Sequence, residues 1–286
     1  MIASSNSRNG RRLRATGGFS LIELAIVIGL ITLLLGSLLV PLQSQVESRK
    51  LSDTEKIMDN AREALLGYAA ANGYFPCPAD YAGGSSGAEA TGSTHTATTG
   101  TCPATVTGLG TAGVYVGYLP AVTLGLTSTD SSSYAVDSWG GTTNRIRYAV
   151  SSTSVNSNAA CNANPVNKPF TNASGMRSAT MSCILSATLL SVCNSATGAS
   201  ATACASAATT LTSNAIVVIW SLGANAGTTG GTSTHEAKNT QVLASADRVF
   251  VLRDKSDVTA TEFDDVVTWI SPPMLFSRLL AAGQLP

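Results

Sequence analysis

A continuous apolar run dominates the pattern near the start of the chain. Residues 19–40 are almost all Leu, Ile, Val, Ala and Gly, and one carboxylate, Glu23, lies close to their beginning. About twenty helical residues at 1.5 Å each span the ~30 Å hydrocarbon core of a bilayer. The run therefore predicts a transmembrane helix. A lone acid in hydrocarbon costs at least ~2.5 kcal/mol, so Glu23 requires an explanation.

The helical pattern continues beyond Pro41. Apolar residues recur mostly at three- or four-residue intervals over 41–72, and charged residues cover much of the opposite face, which predicts an amphipathic helix. Pro41 is expected to kink the helix because its ring removes a backbone hydrogen bond. Asn72 and Gly73 supply a stop signal. The predicted apolar face consists of Leu42, Val46, Ile57, Ala61, Leu65 and Tyr68.

The later part of the chain shows strand patterns. Residues 145–150 alternate between polar and apolar, 215–220 (AIVVIW) are continuously apolar, and 248–252 (RVFVL) and 114–120 are further candidates. A short helix is predicted after Ser271, with Leu275, Leu279 and Ala282 facing inward and Gly283 at its end. Three or four antiparallel strands packed against one amphipathic helix predict an α+β fold.

Two Gly-, Ser- and Thr-rich stretches, 83–113 and 151–214, are expected to be surface loops held by disulfides. All six cysteines follow the apolar run, which favours disulfides formed in an oxidising compartment. Six cysteines allow about fifteen pairings, and proximity favours Cys77 with Cys102 and Cys193 with Cys204, leaving Cys161 for Cys183. The sequence contains no C-x-x-C pair, so a zinc site is disfavoured.

Charge is unevenly distributed. Four arginines precede Gly18 with no acid among them, and the remaining 13 basic residues face 17 acidic ones. No basic patch indicates nucleic-acid binding. Only 12% of residues are charged, so the expected surface is polar without being charged, as in exported proteins. The basic leader predicts a cytoplasmic N-terminus and an exported C-terminal part.

Two ordinary interpretations of the N-terminus leave Glu23 unexplained. A secretory signal peptide has a shorter apolar region, of about 7 to 15 residues, and ends in a small-residue cleavage site that is missing here. A plain signal anchor has no use for an acid placed directly after a Gly-Gly pair.

The stretch from Gly18 to Glu23, GFSLIE, resembles the processing motif of type IV prepilins and type II secretion pseudopilins, G-F-[ST]-L-[IL]-E. The resemblance implies cleavage between Gly18 and Phe19 by prepilin peptidase, followed by N-methylation of Phe19. The expected divisions are a leader at 1–18, a transmembrane half-helix at 19–40, an amphipathic half-helix at 41–72 and a globular head at 73–286. The expected fold is the pilin-like α+β fold: one long N-terminal helix on a small antiparallel sheet.

The resemblance also implies a role for Glu23. Cleavage creates an α-amine that is largely cationic at neutral pH, and in filaments of this family the carboxylate is thought to meet the amine of a neighbouring subunit. The implied partners are prepilin peptidase with its N-methyltransferase activity, other pilin or pseudopilin subunits and an inner-membrane assembly platform. The implied location is the bacterial inner membrane, with one span, a periplasmic head and possible extracellular display in a pilus.

Two stretches of the predicted head resemble the major pseudopilin. Asp137 to Gly140 (DSWG) is similar to a D-x-W-G turn, and Ser221 to Asn225 (SLGAN) to an S-L-G-A-D-G loop that holds Ca²⁺. Asn225 occupies the acidic position of that loop. The sequence predicts no metal and no other cofactor, because an acidic pair before an apolar run, such as Asp264 and Asp265, is more often a solvated turn or a helix start. These two residues and Glu236 are the weak Ca²⁺ candidates that the sequence offers.

No catalytic set is apparent. Residues 83–87 (GGSSG) match G-x-S-x-G, but they lie in a loop rather than between a strand and a helix. His95 and His235 are the only histidines. The sequence therefore predicts a non-enzymatic filament subunit of a secretion pseudopilus or pilus. The alternative is a pilus-borne adhesin or substrate-binding module that acts through the cysteine-containing loops.

Overall fold

The computed structural model describes residues 18, 20–80, 86–97, 99–103, 113–153, 169–178, 181, 184, 189–228, 233–245, 247–258 and 261–284, with the backbone alone at 37–43 and 241–245. The chain divides into two units, Met1–Ser48 and Arg49–Pro286. Each unit is described by itself below.

Helix α1 (Leu21–Asn72) is 52 residues long and begins in the first unit. Its side chains over 21–36 are exposed, with Leu21 86% and Leu33 72% accessible. Among the described residues, no helix has both the length and the apolarity that a bilayer crossing requires.

The predictions of a long apolar N-terminal helix, a transmembrane segment at 19–40 and a single-pass inner-membrane location are therefore wrong. Pro41 lies within the bounds of α1, and its side chain is not among those described.

The second unit contains the amphipathic part of α1. Met58, Ala61, Leu65 and Ala69 are fully buried at three- and four-residue spacings, as a core-facing helix requires. The helix ends where the sequence predicted. Gly73 has φ +81°, which favours glycine, and its amide donates to Ala69 O at 2.8 Å.

The four-stranded sheet of this unit has the order β3-β4-β7-β9, and every neighbouring pair is antiparallel. Strand β9 of this sheet was not predicted from the sequence. Its strands are β3 (Val114–Tyr118), β4 (Arg147–Ser151), β7 (Val217–Ser221) and β9 (Val266–Ile270).

A second, three-stranded sheet has the order β6-β5-β8, and β5 pairs with β8 in parallel. Its strands are β5 (Leu190–Cys193), β6 (Thr210–Ala215) and β8 (Val249–Val251). A two-stranded ribbon joins β1 (Thr94–His95) to β2 (Gly100–Thr101). The α+β class is therefore right, but the prediction of one small antiparallel sheet is wrong.

The apolar run at 215–220 shows why the prediction of a single sheet failed. It was read as one central strand, yet Ala215 ends β6 in one sheet and Val217 begins β7 in the other. The apolar run cannot reveal such a change of sheet, because it contains only the last residue of β6, whose other residues are polar or partly exposed, together with most of the buried β7.

The four-stranded sheet is covered on both faces. Tyr148 and Val150 share a buried cluster with Leu65 of α1, whereas Ala149 and Val218 share another with Val192 of the second sheet. Neighbouring strand residues point to opposite faces, so one strand serves two cores. The second unit is built in three layers: helix, four-stranded sheet and three-stranded sheet.

The other described helices are short. They are α2 (Ala121–Leu124), α3 (Gly175–Ser178), α4 (Thr234–Ser245) and α5 (Pro272–Ala281), with a 3₁₀ turn at Ala207–Thr209. Helix α5 begins after Ser271 as predicted and buries Leu275 and Leu279, but Phe276 is buried in place of Ala282, which is exposed.

Candidate cation site

The described cysteines form the two pairs that proximity favoured. Cys77 bonds to Cys102 with Cα atoms 5.5 Å apart, and Cys193 bonds to Cys204 at 5.7 Å. Cys161 and Cys183 lie outside the described residues, so their predicted pairing stays a prediction. Gly18 and Glu23 are both exposed, and Phe19 is not among the described residues.

The two head motifs singled out in the sequence lie against each other. Asp137 accepts hydrogen bonds from the amides of Trp139 at 2.9 Å and Gly140 at 3.2 Å, which closes the turn before β4. Its other oxygen accepts from Ser221 Oγ at the end of β7 and from Asn144 Nδ2 at 3.1 Å. The buried Asp137 carboxylate thus joins the DSWG turn to the SLGAN loop.

The SLGAN loop then contacts the turn that precedes β9. Gly223 has φ +64°, and a Cβ there would lie 2.5 Å from Asp264 O and Oδ1, so only glycine fits. The next two amides, of Ala224 and Asn225, donate to Asp264 Oδ2 at 2.8 and 3.2 Å. The loop therefore fixes the Asp264 side chain.

Three carboxylates converge at this point: Glu236, Asp264 and Asp265, here called the carboxylate cluster. One oxygen from each lies within 4.8 Å of the others. Glu236 Oε1 accepts from Asn225 Nδ2 at 3.0 Å and from the Asp264 amide at 3.2 Å. Asp265 Oδ2 accepts from Asn239 Nδ2 at 2.7 Å.

Two oxygens of the cluster accept no hydrogen bond from any described residue. They are Asp264 Oδ1 and Asp265 Oδ1, and both are buried. Asp265 is 6% exposed and Glu236 is 1% exposed. Leaving a buried carboxylate oxygen unpaired is costly, so these atoms call for a proton or a cation.

The pKa values of the two aspartates reflect this crowding. Burial, followed by the nearby charge of Glu236, raises the pKa of Asp264 to about 6. Burial also raises the pKa of Asp265 well above its usual value, and the hydrogen bond from Asn239 only partly opposes it. Without a counter-ion, the cluster therefore retains protons well above the usual range of a carboxyl.

Helix α4 brings Glu236 to the cluster. Its first turn is capped by Ser233 Oγ, which accepts from the Glu236 amide at 3.3 Å. Asn239, one turn later, exchanges two hydrogen bonds with Val251 of β8, at 2.8 and 2.9 Å, and so ties α4 to the second sheet. The sequence analysis missed this helix, although Ser233 followed three residues later by Glu236 is a capping signal.

A cleft of about 440 Å³ gives access to the two aspartates. Side chains of α1, including Leu51, Glu55 and Met58, form one wall. The segments 252–255 and 263–268 form the other. Two of the three residues of the carboxylate cluster therefore line this cleft.

The donor set fits a hard divalent cation. Ca²⁺ takes six to eight oxygen ligands, and carboxylates are its preferred side chains. Glu236, Asp264 and Asp265 would hold the ion, which would neutralise the two unpaired oxygens. The three weak candidates of the sequence analysis are therefore neighbours in space.

No protein family, curated protein or solved structure matches this chain.

Proposed function

We propose that the protein is a non-enzymatic subunit of a pilus or pseudopilus, processed after Gly18 and assembled through α1. The observation that carries this proposal is the GFSLIE motif, whose last three residues form the first turn of a helix with an exposed apolar surface. A contiguous apolar surface of this kind marks an interaction site, because exposing it to water is unfavourable. Its occupant in this proposal is the same helix of other subunits.

Glu23 is the residue that orders this assembly. It is exposed among apolar neighbours, with Ile22 69% and Leu24 52% accessible. The α-amine created by cleavage supplies an opposite charge in the next subunit, and a buried pair of this kind specifies register more than it adds stability. Prepilin peptidase, other subunits and an assembly platform are the proposed partners.

Processing and assembly are tested separately. Gly18→Ala should prevent leader removal and N-methylation of Phe19, so that mass spectrometry finds the full-length chain. Glu23→Gln should be cleaved normally, yet it should assemble at less than about a tenth of the normal level because the new amine finds no charge. A Gly18→Ala chain of mature mass would overturn the processing step, and normal filaments from Glu23→Gln would overturn the assembly step.

Shearing intact cells distinguishes the systems in which the subunit acts. Abundant protein in sheared surface filaments favours a pilus, whereas cell-retained protein together with loss of an exported protein on deletion favours a secretion pseudopilus. An adhesin role instead predicts that replacing the disulfide-bonded loops abolishes attachment without reducing filament number.

We also propose that the carboxylate cluster binds Ca²⁺. The unpaired buried oxygens of Asp264 and Asp265 support this second proposal. Calorimetric titration of chelator-treated full-length protein should show one Ca²⁺ site. Asp265→Asn should lose it, and Asp257→Asn, a change at an 88% exposed side chain, should keep it. Heat at the level of the buffer blank for the unmodified protein would overturn the proposal.

A further inference from the structure

The disulfide between Cys77 and Cys102 lies beside two side chains that could bind a metal. Cys77 Sγ, a carboxylate oxygen of Glu89 and a ring nitrogen of His95 all lie within 4.8 Å of one another. Cys77 is fully buried and Cys102 is 5% exposed. The Glu89 and His95 side chains are 18% and 10% exposed. One sulfur, one imidazole and one carboxylate therefore meet in a largely buried group, and the Cys102 sulfur is bonded to the Cys77 sulfur.

The imidazole of His95 is oriented by contacts of the kind that orient metal-binding histidines. Its Nδ1 lies 2.6 Å from the carbonyl oxygen of Thr171, and its Nε2 lies 2.6 Å from Glu89 Oε1. The ring also stacks on Tyr74, with centroids 4.2 Å apart and planes 17° apart. A backbone acceptor on one nitrogen commonly orients the other nitrogen toward a metal.

Hydrogen bonds fix both the backbone and the side-chain carboxylate of Glu89. Its amide donates to Thr123 Oγ1 at 2.9 Å, and its Oε1 accepts from the amide of Cys77 as well as facing His95. Both ring nitrogens of His95 face oxygen acceptors, so in the disulfide form a proton occupies the space between Nε2 and Glu89. A metal ion in that position would replace the proton.

The backbone that carries these groups is closely packed. Thr171 Oγ1 donates to Gly100 O at 2.7 Å, and a Cβ on Gly100 would lie 2.3 Å from the Thr171 carbonyl carbon. Tyr148 OH donates to Pro76 O at 2.9 Å, next to Cys77. Ligands on such a frame need little rearrangement to bind, which favours a specific site.

We infer that the dithiol form of the chain binds Zn²⁺ through Cys77, Cys102, His95 and Glu89. Every chain is synthesised with free thiols, so this form precedes the disulfide. Two thiolates, an imidazole and a carboxylate are the ligand types of tetrahedral zinc. Two Zn–S bonds, one Zn–N bond and one Zn–O bond form, and the protons of both thiols and of His95 Nε2 pass to solvent. Zinc undergoes no redox change.

Formation of the disulfide ends zinc binding. A disulfide oxidant accepts two electrons from the two thiolates and leaves as two thiolates of its own, while the Cys77–Cys102 bond forms and Zn²⁺ is released. The ion would thus hold segments around 77, 89, 95 and 102 together before the covalent bond does. These ligands show no C-x-x-C spacing, so their positions along the chain do not predict a zinc site.

Cobalt is the probe for this site, since tetrahedral Co²⁺ with thiolate ligands absorbs visible light. Full-length protein is reduced anaerobically with a phosphine, which becomes a phosphine oxide as each disulfide takes up two protons from water. Stoichiometric Co²⁺ should then produce ligand-field bands that Zn²⁺ abolishes. Protein with intact disulfides should show none, because both sulfurs are already bonded.

Matched variants assign the ligands. His95→Gln and Glu89→Gln should each weaken Co²⁺ binding about tenfold or more. Cys193→Ser/Cys204→Ser should leave it unchanged, because among the described residues no imidazole or carboxylate joins that pair in such a group. Bands of equal affinity in Cys77→Ser/Cys102→Ser would overturn the inference.

Thermal unfolding of the reduced full-length protein provides an independent measurement if the reduced chain is poorly folded. Zn²⁺ should raise its melting temperature, and it should not do so in His95→Gln. Reduced protein that shows neither tetrahedral bands nor stabilisation by Zn²⁺ would also overturn the inference.

Discussion

The side-chain amide of Asn225 donates to Glu236 Oε1 at 3.0 Å and thereby places a neutral donor beside the carboxylate cluster. An acid stands at this position in the loop that the sequence resembles. The amide satisfies Glu236 without adding a fourth negative charge to a buried group of acids. Asn225 therefore stabilises the cation-free protein, and at the proposed site it would limit the affinity for Ca²⁺.

Asn225→Asp should destabilise the cation-free protein and raise its affinity for Ca²⁺. Cation-free protein should lose about 1–3 kcal/mol of stability, because a donor to a buried charge is replaced by a like charge. The affinity for Ca²⁺ should rise about tenfold through the added anionic ligand. Urea unfolding with chelator and calorimetric titration measure the two effects. Asn225→Ser is the uncharged control, and an Asp variant with unchanged stability and affinity would contradict the prediction.

The free energy of unfolding of the cation-free protein should depend on pH partly through the titration of Asp264. Its pKa is raised from 3.8 to about 6, so the folded state holds a proton in that interval that the unfolded state has released. The free energy of unfolding should therefore fall as pH rises from about 4 to about 6. Ca²⁺ should oppose this fall, since it binds the ionised form.

Asp264→Asn should reduce the slope of the pH dependence in that interval, as measured by urea midpoints in the presence of chelator, while Asp265, whose pKa is also raised, accounts for the remaining slope. Asp257→Asn is the matched change at an 88% exposed aspartate and should leave the profile unaltered. Identical profiles for Asp264→Asn and the unmodified protein would contradict the assignment.

Leu65 packs α1 onto the four-stranded sheet and is fully buried. Leu65→Ala should cost about 2–5 kcal/mol, because it removes buried methyl groups and leaves a cavity. Leu280→Ala, at a leucine that is 61% exposed, should cost less than about 0.5 kcal/mol. Equal losses in a urea unfolding series would contradict the packing of α1 described here.

The two described disulfides should differ in their contributions to stability. Cys77 and Cys102 are 25 residues apart, and Cys193 and Cys204 are 11 apart. Loop-closure entropy alone makes the longer bridge worth about 0.7 kcal/mol more. Replacing each pair with serine and comparing the unfolding free energies tests this difference. A larger loss from the Cys193 and Cys204 pair would show that native-state contacts outweigh loop entropy.

Local signals in the sequence predicted several elements correctly. The end of α1 at Asn72 and the start of α5 after Ser271 followed from glycine and proline signals that act over a few residues. The two described disulfides join the cysteines that are close along the chain, 25 and 11 residues apart. Strand β4 was recognised, although it begins at Arg147 rather than Arg145. Strand β5 and helix α4 were missed because their surroundings are rich in Ser, Thr and Gly, whereas β9 was missed although its sequence, VVTWI, is β-branched and aromatic.

The sequence indicated which residues could form the candidate site, but it did not indicate that they lie together. Glu236, Asp264 and Asp265 were singled out as oxygen ligands, but their meeting depends on α4 and β9, neither of which the sequence analysis recognised. Cys77, Glu89 and His95 were never considered together, since 12 residues separate Cys77 from Glu89. No spacing rule covers a ligand set assembled from separate segments.

The sequence by itself determined the α+β class and the amphipathic part of α1, and it favoured the two described cysteine pairs. These depend on neighbours along the chain. Tertiary structure alone decided that two sheets form and that the strands around Ile216 divide between them. It also decided that two clusters of metal-binding side chains arise, because strand pairing and side-chain convergence join residues distant in sequence.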